Sequence, residues 1–185
     1  MRHHAGEEVD CVITHLEMTA RPGAPRPHLP LGPASALIGA ERPPVRYFLW
    51  LYDAVGHAYE WTDMLDMPED EVAAFLHDPA VTLYTLVRDG WPHGFFVLDC
   101  RLPEACDLAY FGLLPEAIGR GLGSFLLLTA VHMAWDRPGT ARLTVNTNSL
   151  DHPRALPLYQ KAGFEPVRRE TKIRVLRRDR DLIDA

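Results

Sequence analysis

Gly119, Gly121 and Gly123 alternate through Gly119-Arg120-Gly121-Leu122-Gly123-Ser124, immediately ahead of an apolar run with helical spacing. Glycines in that pattern leave the backbone N–H groups of residues 119–124 uncovered at a helix N-terminus, where the donors lack intrahelical partners and the macrodipole is positive. Such a site takes an anion, most simply a phosphate or pyrophosphate. A P-loop requires Gly-Lys-Ser/Thr at the helix start, but Gly123 is followed directly by Ser124 and no lysine lies nearby. A dinucleotide fingerprint requires a third glycine three residues after the second, where Ser124 follows Gly121, and an early βαβ unit that this sequence lacks.

The remaining match is Ile118-Gly119-Arg120-Gly121-Leu122-Gly123, which resembles the Gln/Arg-x-x-Gly-x-Gly/Ala acyl-CoA signature of the GNAT superfamily of N-acetyltransferases. Leu158-Tyr159-Gln160-Lys161-Ala162-Gly163-Phe164 is similar to that superfamily's Leu-Tyr-x-Lys-x-Gly-Phe segment, separated from the first block by a helix and a strand. The resemblance spans roughly residues 70–175, with Ile118 at the Gln/Arg position and His152 where an Asn usually precedes the tyrosine by seven residues. It implies an α+β fold with a mixed, mostly antiparallel central sheet, helices on both faces, and a splay between strands where acyl-CoA binds.

Acetyl transfer to an amine sets three demands. An alkyl amine of pKa ~10.4 is neutral in about one molecule in 2,500 at pH 7, roughly 4.6 kcal/mol uphill, so a base or proton wire is useful. The thioester carbonyl must be polarised, which a backbone N–H at a strand bulge near Leu113 could do. The departing thiolate must be protonated, and Tyr159 is the hydroxyl that its register in the second block assigns to this task. Without that register it reads as a core aromatic of a short helix. For the base, Asp107 lies eleven residues before Ile118, where histone-type members carry a Glu. Asp is one methylene shorter, so a bridging water would carry the proton; the other reading is an acid that blunts a strand end. Glu60 and Asp63 are the second choices for the base.

The resemblance implies acetyl-CoA held along Phe111, Gly112 and Leu113 at a strand end, along Ile118, Gly119, Arg120, Gly121, Leu122, Gly123 and Ser124, and by His152 and Arg154. His152 stands where relatives place an Asn on the pantetheine arm, and an imidazole offers one donor and one acceptor there. Helix capping by Asp151 or His152 is the alternative, and Arg120 and Arg154 read either as phosphate partners or as solvated charges. The connection between the first two helices implies an acceptor wall of Tyr59, Glu60, Trp61 and Asp63, aromatics that could equally close the core. The expected activity is acetyl transfer from acetyl-CoA to an amine on a small molecule or peptide, by direct attack in a ternary complex. The alternative is a non-catalytic acyl-CoA-binding module. No metal is expected, and superfamily members often pair through C-terminal strands, which implies a possible homodimer.

Composition narrows the classes. The 185 residues suit one acetyltransferase domain over 1–185, and 47% apolar with 24% charged residues excludes wholesale disorder. A net charge of −6 argues against a nucleic-acid partner, which needs a concentrated basic surface, and suits an amine. No apolar run nears the ~20 residues that cross a bilayer, and Met1–Asp10 is not signal-like, so the expectation is a cytoplasmic protein without a membrane partner. Cys11, Cys100 and Cys106 form no metal-type pattern, and their odd number points to structural thiols.

These residues need positioning elements. Residues 1–10 read as a mobile tail, 9–18 as a first strand, and the proline-rich stretch 21–33 as an extended crossover. Helical spacing of Tyr47, Phe48, Leu51, Tyr52 and Val55 predicts a helix over 45–59, and Pro68 with Glu69, Asp70 and Glu71 opens another that stops at Asp78-Pro79. Asp89-Gly90 predicts a hairpin turn between strands 81–88 and 94–102. The run Leu108–Leu114 reads as a strand buried on both faces, followed by a long helix from Gly121 to about Asp136. A strand over 142–147, a helix 155–161 closed by Gly163, a hairpin of 164–167 with 172–176, and a frayed end from Arg177 complete the expectation.

Overall fold

The computed structural model describes residues 2–181. Its elements are β1 (Arg2–His3), β2 (Glu8–Met18), β3 (Ser35–Ala40), α1 (Val45–Gly56) with a 3-10 turn His57–Tyr59, α2 (Asp63–Asp66), α3 (Glu69–Leu76), β4 (Val81–Arg88), β5 (Trp91–Asp99), β6 (Ala105–Leu113), α4 (Leu122–Trp135), β7 (Arg142–Asn148), α5 (Ala155–Ala162), β8 (Glu165–Val175) and β9 (Arg180–Asp181). Seven strands form one sheet in the order β3-β4-β5-β6-β7-β2-β8. Every neighbouring pair is antiparallel except β6 and β7, which are parallel.

Helices cover both faces. On one, Leu122, Leu126 and Ala130 of α4 and Tyr159 of α5 pack on Leu16, Phe96, Leu108 and Leu143. On the other, Phe48, Leu51, Tyr52 and Val55, spaced three, one and three residues apart along α1, join Val72 and Leu76 of α3 over Leu83, Phe95 and Val97. Between β5 and β6 the register moves from Val97↔Tyr110 to Leu98↔Leu108, so Ala109 is an extra residue on the bulged strand. Side-chain direction flips there: Cys106 and Leu108 face the α4 side before the bulge, and Phe111 and Leu113 face it after. The bulge lies at Ala109, not near Leu113 as expected, because the period-2 alternation of the apolar run breaks four residues earlier.

Parallel pairing of β6 and β7 extends only from Ala105↔Arg142 to Asp107↔Thr144. Past that rung the two strands part, and the gap between them positions the site.

Several expectations need correction. Residues 2–10 are not a free tail: β1 pairs with β9, the Gly6 N–H donates to the Leu176 carbonyl at 2.7 Å, and Asp179 accepts from the Ala5 N–H at 3.0 Å. The same contacts tie down the C-terminal end as far as Asp181, and the last four residues of the expected frayed end lie outside the described ones. Residues 165–175 form one strand rather than a hairpin, because β2 offers an equally long partner. β3 has no counterpart in the expected elements, and its pairing with β4 extends the sheet edge. Leu108–Leu113 is covered less than expected, since Ala109 and Tyr110 to Leu113 are only half-buried and border cavities. Cys100 and Cys106 are joined by a disulfide across the β5–β6 connection; only Cys11, which is buried, is a free thiol.

Candidate active site

Two cavities open at the gap between β6 and β7. The first, of about 360 Å³, lies between the end of β6, the start of α4 and α5. Phe111, Gly112, Leu113, Ile118, Gly119, Gly121, Leu122, Gly123, Ser124, His152 and Arg154 all border it. Arg120 is the exception among the expected cofactor residues: it is exposed and outside the lining.

The glycine turn is built as the spacing demanded. Gly119 and Gly121 have φ of +83° and +74°, in the left-handed region, and a Cβ at either would meet nothing within 4 Å. Gly121 is the N-cap of α4, and no side chain caps the helix, so its first amides lack a side-chain partner. Unpaired amides at one end and apolar walls from Leu113, Leu122 and Leu158 fit a pyrophosphate joined to a thin, mostly apolar arm. The Arg154 N–H donates to His152 Nδ1 at 3.1 Å, which leaves the proton on Nε2 and makes that atom a donor.

The second cavity, of about 410 Å³, lies on the α1 side of the sheet. Tyr59, Glu60, Trp61 and Asp63 all line it, opposite Asn146 and Asn148 of β7 and Lys172 and Arg174 of β8. Glu60 is buried, adopts φ +58°, and its Oε2 accepts from the Arg177 N–H at 2.9 Å. Asp63 accepts from both Arg174 Nη1 and Nη2 at 2.6 Å, and that fork holds its carboxyl below the ordinary range. Trp61 packs against Gly56, where a Cβ would overlap the indole, and its ring lies 5.3 Å from Tyr52 and 6.0 Å from Tyr110. Burial pushes the Tyr52 phenol up to about 12, and raises Tyr110 and Tyr59 as well.

Tyr59, Trp61, Phe111, Asp151 and Tyr159 border both cavities. Tyr159, 6% exposed, stands edge-on to Phe111 with ring centroids 6.1 Å apart. Burial, then the charges of Asp151 and Asp107, raise its pKa, so the phenol keeps its proton across the physiological range. Asp107 lies elsewhere. It lines neither cavity, and Gly112 lies five residue steps further along the strand, about 17 Å at ~3.3 Å per step. The second cavity begins with its neighbour Leu108, and burial raises the Asp107 carboxyl against the opposing pull of a hydrogen bond from Thr144.

The sequence offers Asp151 only as a helix cap and gives Tyr110, Asn146 and Asn148 no site role, yet all four border the cavities. The asparagines carried a readable signal: with Thr144 they occupy alternate positions of β7 and put a polar row on one face. Among the described residues no cluster of His, Cys, Asp or Glu could hold a metal ion.

The fold and two-sided site define a class, and sequence comparison agrees: the profile of the Acetyltransferase (GNAT) family matches residues 16–164. The chain belongs to that family. No curated protein matches it in sequence. A GCN5-related N-acetyltransferase from Kribbella flavida is 20% identical with a TM-score of 0.56, over 83% of this chain and 53% of its own. One from Sphaerobacter thermophilus is 18% identical with a TM-score of 0.56, over 92% and 51%. An IAA acetyltransferase from Bacillus cereus ATCC 14579 is 23% identical with a TM-score of 0.54, over 71% and 77%. The chain thus spans about half the length of the first two structures. Among the described residues no helix is long and apolar enough to cross a membrane.

Proposed function

We propose that this chain, acting as one cytoplasmic acetyltransferase domain, transfers the acetyl group of acetyl-CoA directly to the amine of a small molecule or peptide. The observation that carries the reading is the junction. One cavity has an anion cradle and apolar walls, the other has carboxylates and aromatic rings, and they meet at Tyr159 and Asp151 through the gap between β6 and β7. Two substrates entering from opposite faces can be held together without a covalent enzyme intermediate.

When bound, acetyl-CoA supplies an activated thioester. The amides of residues 119–124 would hold its pyrophosphate, and Leu113, Leu122 and Leu158 its arm. The bulge at Ala109 interrupts the β5–β6 ladder, and a backbone N–H of β6 left out of that ladder would be the donor to a carbonyl oxygen in the gap. Tyr159 holds a proton on Oη beside that gap, available to a departing thiolate. Asp107, with its raised pKa, is a better proton acceptor than an ordinary carboxylate, and a water reaching past Leu108 would link it to the acceptor.

The test is release of free thiol from acetyl-CoA across a panel of primary amines, with mass spectrometry of the products. Amine-dependent thiol release with an acetylated amine is the expected result. Tight CoA binding with no thiol release from any amine would overturn the reading in favour of a binding module.

A further inference from the structure

Asp151 borders both cavities, whereas the other two carboxylates of the acceptor cavity, Glu60 and Asp63, border only that one. Three donors fix it. Oδ1 accepts from Trp61 Nε1 at 3.0 Å, and Oδ2 accepts from Thr147 Oγ1 at 2.8 Å and from the Asn148 N–H at 3.0 Å. An ionised carboxylate has about four lone-pair sites, so one on Oδ1 is left over. The acceptor wall and β7 both hold the group, so the fold sets the direction of that last site. Asp63 is spent on the Arg174 fork, and Glu60 holds the backbone of Arg177.

Resting on the acetyl-transfer reading above, we propose that Asp151 receives the positively charged amine at the junction of the two cavities, which makes the acceptor an alkylammonium rather than an amine already neutral at pH 7. With three donors holding it in place, Asp151 orients the acceptor, and the proton leaves by another route. The rings of Tyr52, Trp61 and Tyr110, with centroids 5.2 to 6.0 Å apart, offer faces to the ammonium and to an apolar stem behind it.

Two isomers of one formula separate charge from size: 2-phenylethylamine is an ammonium at pH 7 and 4-ethylaniline is neutral there. Calorimetry on the full chain should give the ammonium an affinity about 10- to 100-fold higher, the worth of a charge-assisted hydrogen bond. Asp151→Asn keeps the size and can still accept from Thr147 and Asn148 while removing the charge, and it should erase the preference. Glu165→Gln, which removes an exposed carboxylate of β8 that borders neither cavity, should keep it. Equal binding of the isomers by the wild type, no binding of the ammonium, persistence of the preference in Asp151→Asn, or its loss in Glu165→Gln overturns the assignment. If Asp151→Asn does not fold, Asp151→Ser, which also removes the charge, is read in its place. No acetyl transfer is read, so failure of the acetyl-transfer reading is recognised separately by the thiol assay.

Discussion

Thr144 Oγ1 donates to Asp107 Oδ1 at 2.5 Å across the last parallel rung between β6 and β7. That contact closes the paired part of the two strands and marks where the gap begins. It also fixes Asp107 behind the second cavity, one residue short of its wall.

Asp107→Asn should therefore slow the reaction most at neutral pH and recover partly as the pH approaches the amine's own pKa, because free amine then becomes abundant without a base. Rate profiles from pH ~6.5 to ~9.5 measure this. A constant ratio of wild type to variant over that range would remove Asp107 from the proton path.

The same carboxyl makes a prediction about stability. Burial raises its pKa in the folded chain, so the folded state binds the proton more tightly than the unfolded one. Its stabilising contribution is fully present below the unfolded value of about 3.9 and is lost as the pH rises through the folded value. Asp107→Asn has no such loss, and its Asn oxygen can still accept from Thr144. The Tm difference, variant minus wild type, should become more positive from pH 4 to pH 7. A difference that falls with pH would contradict the burial argument.

Gly121→Asp places a carboxylate at the cradle. Unit charges ~4 Å apart repel by about 4 kcal/mol at a protein surface before screening, so CoA affinity should fall at least about a hundredfold. Gly121→Asn carries the same left-handed backbone strain without the charge and should lose far less. Calorimetry with CoA compares them, and similar affinity in wild type and Gly121→Asp would remove the anion site.

The parts legible in the sequence were those governed by local rules. Asp89 and Gly90 take the positive φ values of 52° and 81° that a two-residue hairpin needs, and Gly121 and Gly163 sit at the helix ends their spacing implied. Tyr59, Glu60, Trp61 and Asp63, near one another in the chain, all line the second cavity. What escaped depends on partners distant in the chain. β1 needs residues 180–181, and β8 stays a single strand because β2 lies beside it. Asp151 becomes a junction residue through Trp61, ninety residues away, and the bulge at Ala109 appears only against the register of β5.

Tyr159→Phe tests the central claim most directly, because it keeps the ring packed between Phe111 and Phe164 and deletes only the hydroxyl at the meeting point of the cavities. Turnover with acetyl-CoA should fall by about 10² to 10⁴, the usual worth of a positioned acid, while CoA affinity and Tm stay near the wild-type values. The loss should shrink with an aryl thioester, whose thiolate leaves without help. Near-wild-type turnover of acetyl-CoA by a folded Tyr159→Phe variant would contradict the account and reduce Tyr159 to a core aromatic.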